Sequence, residues 1–198
     1  MKDYSRANRG RQFEDFLKFV HSNYRRKHIA CVHKIPTEFL PLRDHNGKVV
    51  SCKVEEKSCV DYLGRYRGTP VAVEAKHEEG PRIQFDRVEP HQAAYMDDFI
   101  GDPAAVGIVI VSFGLRRFFA VPWEFWKAAR DVWKHRPNLK ARKCDKVTIT
   151  ARGFTWETPG MASASADDFL PEWEIKSGGA TGLPYLEIID RMKGEGLQ

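Results

Sequence analysis

Val71-Ala72-Val73-Glu74-Ala75-Lys76 decides how this chain is read. Val71, Val73 and Ala75 alternate with Ala72, Glu74 and Lys76, and a period of two marks a strand with one buried face. Glu74 and Lys76 therefore leave the strand on the same side. Asp61 stands upstream, separated from the strand by Tyr-Leu-Gly-Arg-Tyr-Arg-Gly-Thr-Pro, whose Gly64, Gly68 and Pro70 read as the turn region of a hairpin. Such a hairpin carries Asp61 back alongside Glu74. Two carboxylates and an ammonium then converge, which suits a hard divalent cation held by oxygen ligands, with a lysine to counter developing negative charge. That chemistry points to phosphodiesters; the competing explanation is an exposed ion pair.

Glu-x-Lys occurs three times in the chain. Glu55 with Lys57 lies in a charged run without apolar alternation and reads as a solvated face. Glu174 with Lys176 follows Asp167 and Asp168 and alternates with Trp173 and Ile175, so it is a rival. Only the copy at Glu74 combines an apolar strand, a spaced upstream Asp and a turn between them.

This arrangement resembles the PD-(D/E)XK nuclease superfamily. The resemblance narrows along the chain. Asn8-Arg9-Gly10 leads into a helix with Glu14 and Asp15, a strand ends in His33-Lys34-Ile35-Pro36-Thr37, and Asp61-Tyr62, Glu74-Ala75-Lys76 and His91-Gln92 follow. That order resembles the RecU family of Holliday-junction resolvases from about Asn8 to the helix ending near Arg136, and not beyond. The resemblance implies a restriction-endonuclease-like α/β fold, a mixed central sheet flanked by helices with a projecting stalk hairpin. It implies that Asp61, Glu74 and Gln92 help hold Mg²⁺, or Mn²⁺ in its place, that Lys76 stabilises the transition state, and that Glu14 aims at the same site. It further implies a homodimer that nicks branched DNA, four-way junctions above all, leaving 5′-phosphates; recombination proteins are further candidate partners. Where the family usually places threonines before the Asp, this chain has Cys59 and Val60, and a thiol is a poor Mg²⁺ ligand. A nuclease for other DNA structures and a non-catalytic DNA-binding accessory protein are the alternatives.

Composition bounds these readings. The chain has 198 residues, 42% hydrophobic and 30% charged, enough for one sizeable core. The longest apolar run, 104–113, is too short to span a bilayer, and Met1 to Gln12 is charged and carries no apolar signal core. Cys31, Cys52, Cys59 and Cys144 include no Cys-x-x-Cys pair, which speaks against structural zinc or a disulfide framework and for a reducing cytoplasm, there associated with the nucleoid. Charge is unevenly spread: residues 1–28 hold eight Lys or Arg against three acids, residues 127–146 eight against two, and residues 151–198 four against eight. Two basic segments flanking an acidic site suit a polyanionic substrate, although a generic basic surface shares the statistic.

Elsewhere, Phe13, Phe16, Leu17, Val20 and Tyr24 recur at helical spacing and predict an amphipathic helix over 5–25 with Glu14 beside its apolar stripe. An acid there equally suits a helix dipole. Residues 37–57 read as the stalk, turning at Asp44-His45-Asn46-Gly47. Candidate DNA contacts are Arg9 and Arg11 on the helix, Lys34, Arg43, Lys48 and Lys53 on or near the stalk, and Arg65 and Arg67 at the hairpin tip. Pro90 opens a helix with Gln92 in its first turn, Val106 to Val111 reads as a buried central strand, and Pro122 precedes a helix over 123–133. Residues 1–150 thus form the nuclease-like domain. Residues 158–167 read as a flexible link within a 151–198 extension that packs on the domain or trails from it.

Overall fold

The computed structural model describes residues 4–194. Side chains of residues 4–9 and of Glu56 lie outside that description, and with them the DNA contact assigned to Arg9. The amphipathic helix α1 (Tyr4–Arg26) is followed by β1 (Ala30–Lys34), the long hairpin β2 (Glu38–Arg43) and β3 (Val49–Glu56), and a second hairpin, β4 (Tyr62–Tyr66) and β5 (Thr69–Glu78). Then come β6 (Arg82–Gln84), α2 (Pro90–Phe99), β7 (Val106–Phe113), β8 (Arg117–Pro122) and α3 (Trp123–Lys134). The C-terminal part holds β9 (Thr148–Ala151), β10 (Phe154–Glu157), β11 (Ser163–Ser165), β12 (Glu174–Ile175) and α4 (Ile188–Met192).

Six strands form the main sheet in the order β1-β4-β5-β7-β8-β12. β5 and β7 run parallel and their neighbours antiparallel, the mixed sheet expected. Every residue of β7 is buried because helices cover both faces, which is why its sequence is a continuous Val/Ile run. On one face, Tyr62 of β4 lies edge-on to His21 of α1, and Val73 is its register partner on β5. On the other, Gly107 lies so close to Trp123 of α3 and Met96 of α2 that a Cβ would stand 2.8 Å and 3.1 Å from them. Ala72, Glu74 and Lys76 share the Gly107 face, so the acidic strand side points towards α2 and α3.

Trp126 shows how the core is secured. It is fully buried, meets Phe85 edge-on at 5.1 Å and donates from its indole to the Phe85 carbonyl at 3.1 Å. A tryptophan removed from such a site typically costs about 3–5 kcal/mol. Among the described residues, no helix is long and apolar enough to cross a membrane.

Three expectations need correction. The active-site hairpin turns only through Arg67 and Gly68, both at positive φ, a pair that matches the twist of a tight hairpin. Gly64 is not part of that turn but lies inside β4, where a Cβ would stand 2.4 Å from the Cys31 carbonyl oxygen. Pro70 likewise lies within β5. Residues 158–167 are not a flexible link: β11 pairs with β6, Thr158 and Ala164 are buried, and Arg82 donates to the Ser163 carbonyl at 2.6 Å. Small polar residues there serve close packing, which composition alone does not distinguish from mobility. The segment beyond adds β12 to the sheet edge and buries Trp173, Leu183, Tyr185 and Ile189 in the same core.

The stalk is different in kind. β2 and β3 pair only with each other, and their register puts Phe39, Pro41, Cys52 and Val54 on one side. Phe39, Leu40, Leu42, Val49, Val50 and Val54 are all exposed. Isolated two-stranded hairpins are marginal in water, so a face of this kind calls for a cover.

Candidate active site

The open end of the β4–β5 hairpin brings Asp61 and Glu74 together by reciprocal bonds. The Ala75 amide donates to Asp61 Oδ2 at 2.8 Å, and the Asp61 amide donates to Glu74 Oε2 at 3.2 Å. Lys76, two residues along the same face, places Nζ 2.5 Å from Glu74 Oε1 and 3.3 Å from Gln92 Oε1. Gln92 in turn accepts from the Glu89 amide at 3.0 Å, one half of a capping box that starts α2. Its oxygen is thus directed at Lys76. Glu14, on α1, lines the same cavity and is ion-paired with Lys34.

All five predicted residues, Glu14, Asp61, Glu74, Lys76 and Gln92, line one cavity of about 420 Å³. Glu74 is completely buried, and burial pushes its carboxyl up to about 7; the Asp61 charge adds to the rise and Lys76 opposes it. Two carboxylates held this close, one of them away from water, create a need for positive charge that a single lysine meets only in part. Hard oxygen donors of this kind match Mg²⁺ or Mn²⁺. Among the described residues no three His, Cys, Asp or Glu side chains cluster as a closed metal cage. The donor set fits a cation that completes its shell with water and substrate phosphate, as Mg²⁺ usually does.

Sequence reasoning missed four neighbours: His77, Glu78, Glu79 and Arg87 line the same cavity. Continuing the period of two beyond Lys76 would have found Glu78, since β5 runs on to that residue. Arg87 bonds Glu78 Oε2 at 3.1 Å, and His77 bridges Ser112 and Glu79 at 3.1 Å and 2.8 Å. Cys59 and Val60 do not line the cavity; Val60 is core and Cys59 packs against it.

The candidate DNA contacts fall into two groups. Arg11, Lys48 and Lys53 are exposed and have no ion pair among the described residues, and Arg43 is exposed but tied to the stalk turn through the Gly47 carbonyl at 2.8 Å. Lys34 is engaged by Glu14, Arg65 by the Gly68 carbonyl at 3.2 Å, and Arg67 by Asp190 at 3.1 Å, where it also lies over the Tyr66 ring. The rival pair lies elsewhere: Glu174 takes Arg117 Nε at 2.7 Å, and Lys176 is exposed.

The sequence model of the family RecU, Recombination protein U, matches residues 8–191. The chain belongs to the RecU family. The match passes well beyond Arg136, where the resemblance in the sequence gave out, and takes in the C-terminal segment. The Holliday junction resolvase RecU of Lactobacillus delbrueckii subsp. bulgaricus is 26% identical over 198 residues, covering 97% of this chain and 84% of its own. RecU of Streptococcus sanguinis is 26% identical over 192 residues, 93% and 84% of the two chains. Among solved structures, the Holliday junction resolvase Hjc of Archaeoglobus fulgidus aligns with 57% of this chain and 78% of its own, at 11% identity and a TM-score of 0.38.

Proposed function

We propose that this RecU-family protein is a metal-dependent endonuclease that resolves four-way DNA junctions by paired symmetric nicks. The observation that carries the proposal is the convergence of Asp61, Glu74 and Lys76 in an acid-rich cavity, in a chain whose relatives are junction resolvases. Asp61 and Glu74 would hold the cation, Gln92 standing beside them. When bound, Mg²⁺ or Mn²⁺ polarises the scissile phosphate and makes water a better nucleophile at neutral pH.

The chain's own residues do the rest. The Asp61–Glu74 exchange of hydrogen bonds fixes both carboxylates before substrate arrives, so little ordering is left for the reactive complex. Were Glu74 engaged by a cation, Lys76 would keep Gln92 as its partner and its ammonium would be free to face the phosphate, where negative charge grows in the transition state. Water forms the new P–O bond, the bond to the 3′ oxygen breaks, and that oxygen takes a proton, leaving a 5′-phosphate and a 3′-hydroxyl. Glu14 lines the same cavity and is ion-paired with Lys34, which lines a neighbouring one.

Two symmetry-related nicks call for two sites, which a twofold homodimer supplies. The exposed apolar stalk supports that assembly, because Phe39, Val50 and Val54 would be covered by a second copy. Residues 1–150 carry the cavity, and the segment from 151 braces the turn end of the β4–β5 hairpin through Asp190, which accepts from Tyr66 at 2.7 Å. A DNA-acting enzyme of this kind belongs in the cytoplasm with the nucleoid. The test is incubation with a labelled four-way junction and with linear duplex of the same sequence, with Mg²⁺ or with chelator. Symmetric nicks confined to the junction and to the Mg²⁺ reaction support the proposal. Equal cutting of both substrates makes it a nuclease of other DNA structures, and binding without cutting makes it an accessory protein.

A further inference from the structure

The second basic segment found in the sequence, 127–146, plays no part in the site described so far. Its cations divide sharply. Lys127 is paired with Asp97, Arg130 with Asp131 and Lys146 with Glu157. Lys134, Lys140, Arg142 and Lys143 are exposed and, among the described residues, have no carboxylate within ion-pair distance. Four free charges lie within ten residues, Lys134 ending α3 and the other three on the loop that follows, where mutual repulsion makes a polyanion the natural partner.

The loop that carries them is built rather than slack. Arg136 lies over the Trp133 ring at 3.6 Å and donates to the carbonyls of Trp133 and Leu139, each at 2.6 Å. Asn138 turns the chain by accepting from the Lys140 amide at 3.0 Å and, through its carbonyl, from Ala141 at 3.1 Å. The far end is pinned where the Cys144 amide donates to the Gly160 carbonyl at 2.9 Å. Gly160 is at positive φ, and a Cβ there would stand 2.6 Å from the Cys144 oxygen. Arg136 thus uses its charge to hold the loop's shape, and the four free cations are presented on a preset curve. Such preorganisation lowers the ordering cost of binding.

Packing gives the loop its direction. Trp123, at the start of α3, lies against Gly107, next to Met96 in the last half of α2, and Trp123 and Lys127 both reach Asp97. Trp126, one turn on, reaches the Phe85 carbonyl, just before α2 begins. α3 therefore runs back along α2 towards Pro90 and Gln92. The loop that follows opens at the same end of the sheet as Lys76 and the two carboxylates.

We infer that residues 134–143 form a second DNA contact, a run of phosphate-binding cations that receives the duplex arm leaving the cleavage site. The inference rests on the junction-cutting reading above and extends it from the branch point to the arm. Contacts of this kind carry no sequence preference and position the substrate.

The test compares wild type with the combined variant Lys140→Ala, Arg142→Ala, Lys143→Ala, which leaves Arg136 and the loop frame intact; retained thermal unfolding verifies the fold. A second version with glutamine at the three positions guards against loss of loop packing. Lys146→Ala, which removes a paired cation, is the control. Binding is measured against salt on long linear duplex, and cutting is measured on junctions with long arms and with arms trimmed to the branch. Losing three phosphate contacts lowers the salt slope by about three, so over a fourfold rise in salt the variant loses about 40-fold less affinity than wild type. The control keeps the wild-type slope, and the variant cuts trimmed junctions as wild type does. Equal salt slopes for variant and wild type on linear duplex overturn the inference. Failure of wild type to cut any junction overturns the reading of the site instead, while the linear-duplex slopes still decide the loop.

Discussion

Glu74-Ala75-Lys76 and Glu174-Ile175-Lys176 share a spacing and a charge order, the first within the central strand β5 and the second beginning in the edge strand β12 of the same sheet, with Lys176 one residue past its end. Their surroundings separate them. Glu74 is fully buried, its strand lies between β4 and β7, and Asp61 stands against it. Glu174 is a third exposed and is held by Arg117 in a two-pronged contact at 2.7 Å and 2.9 Å, with Asp167 on the same guanidinium. One carboxylate is left wanting a cation and the other already has one. A three-residue pattern acquires chemistry through what burial and neighbours deny it, and the edge copy is a strand-to-strand clasp.

The largest expected effect comes from removing charge at the buried copy. Glu74→Gln keeps the shape but removes the carboxylate proposed to hold the cation, and junction cutting should fall by more than the ~10²–10³-fold typical of losing one electrostatic donor. Glu174→Gln should leave the cutting rate unchanged. Single-turnover rates on one junction substrate compare the two; similar losses would erase the distinction between the copies.

Acidity separates them further, with opposite signs. Glu74 has its carboxyl raised from the ordinary carboxylate value to about 7, so the folded, cation-free protein holds a proton that the unfolded chain releases. Its contribution to stability is present at low pH and is lost as pH rises towards about 7. At the proposed site Mg²⁺ would compete with that proton, so apparent Mg²⁺ affinity should climb with pH and level off above about 7. Arg117 holds the Glu174 carboxyl below its usual value, so that contact stabilises at neutral pH and fades on acidification. Calorimetric Mg²⁺ titrations across this range, with Glu74→Gln as reference, read the first effect. A pH-independent affinity would contradict it.

Smaller still is the mechanical role of the clasp. Arg117→Ala frees Glu174 and Asp167 and uncovers the Phe119 ring, and should cost about 1 kcal/mol in denaturant unfolding without slowing cutting. The third copy gives the floor of the scale. Lys57 reaches Glu89 at 2.6 Å with both partners largely exposed, and Lys57→Ala should cost no more than about 0.5 kcal/mol.

Much of this was legible in the chain because two periodicities carry it. Alternation along 71–76 located β5 and the shared face of Glu74 and Lys76, and the helical spacing of Phe13, Leu17, Val20 and Tyr24 located α1, where all four are buried. The central strand β7 announced itself by being apolar throughout. Less legible was anything that depended on contact between distant segments. Gly64 looked like a turn residue because a glycine needed for close approach to Cys31 and one needed for positive φ are the same letter. The small polar stretch around Ser163 looked mobile because its partner strand, β6, lies far upstream. At the site, the approach of Gln92 to Lys76 and the presence of Arg87 follow from how α2 and the turn before it meet β5, which no local pattern encodes.

Lys76, and not Lys176 just past the edge strand, is the lysine proposed to act in strand scission. That role is tested most directly by cutting a labelled four-way junction in Mg²⁺ with Lys76→Ala and Lys176→Ala side by side, both verified to bind the junction. Lys76→Ala should lose about 10²–10³-fold in cutting rate, and Lys176→Ala should give wild-type paired nicks. Wild-type cutting by Lys76→Ala, or an equal loss in both variants, would contradict it.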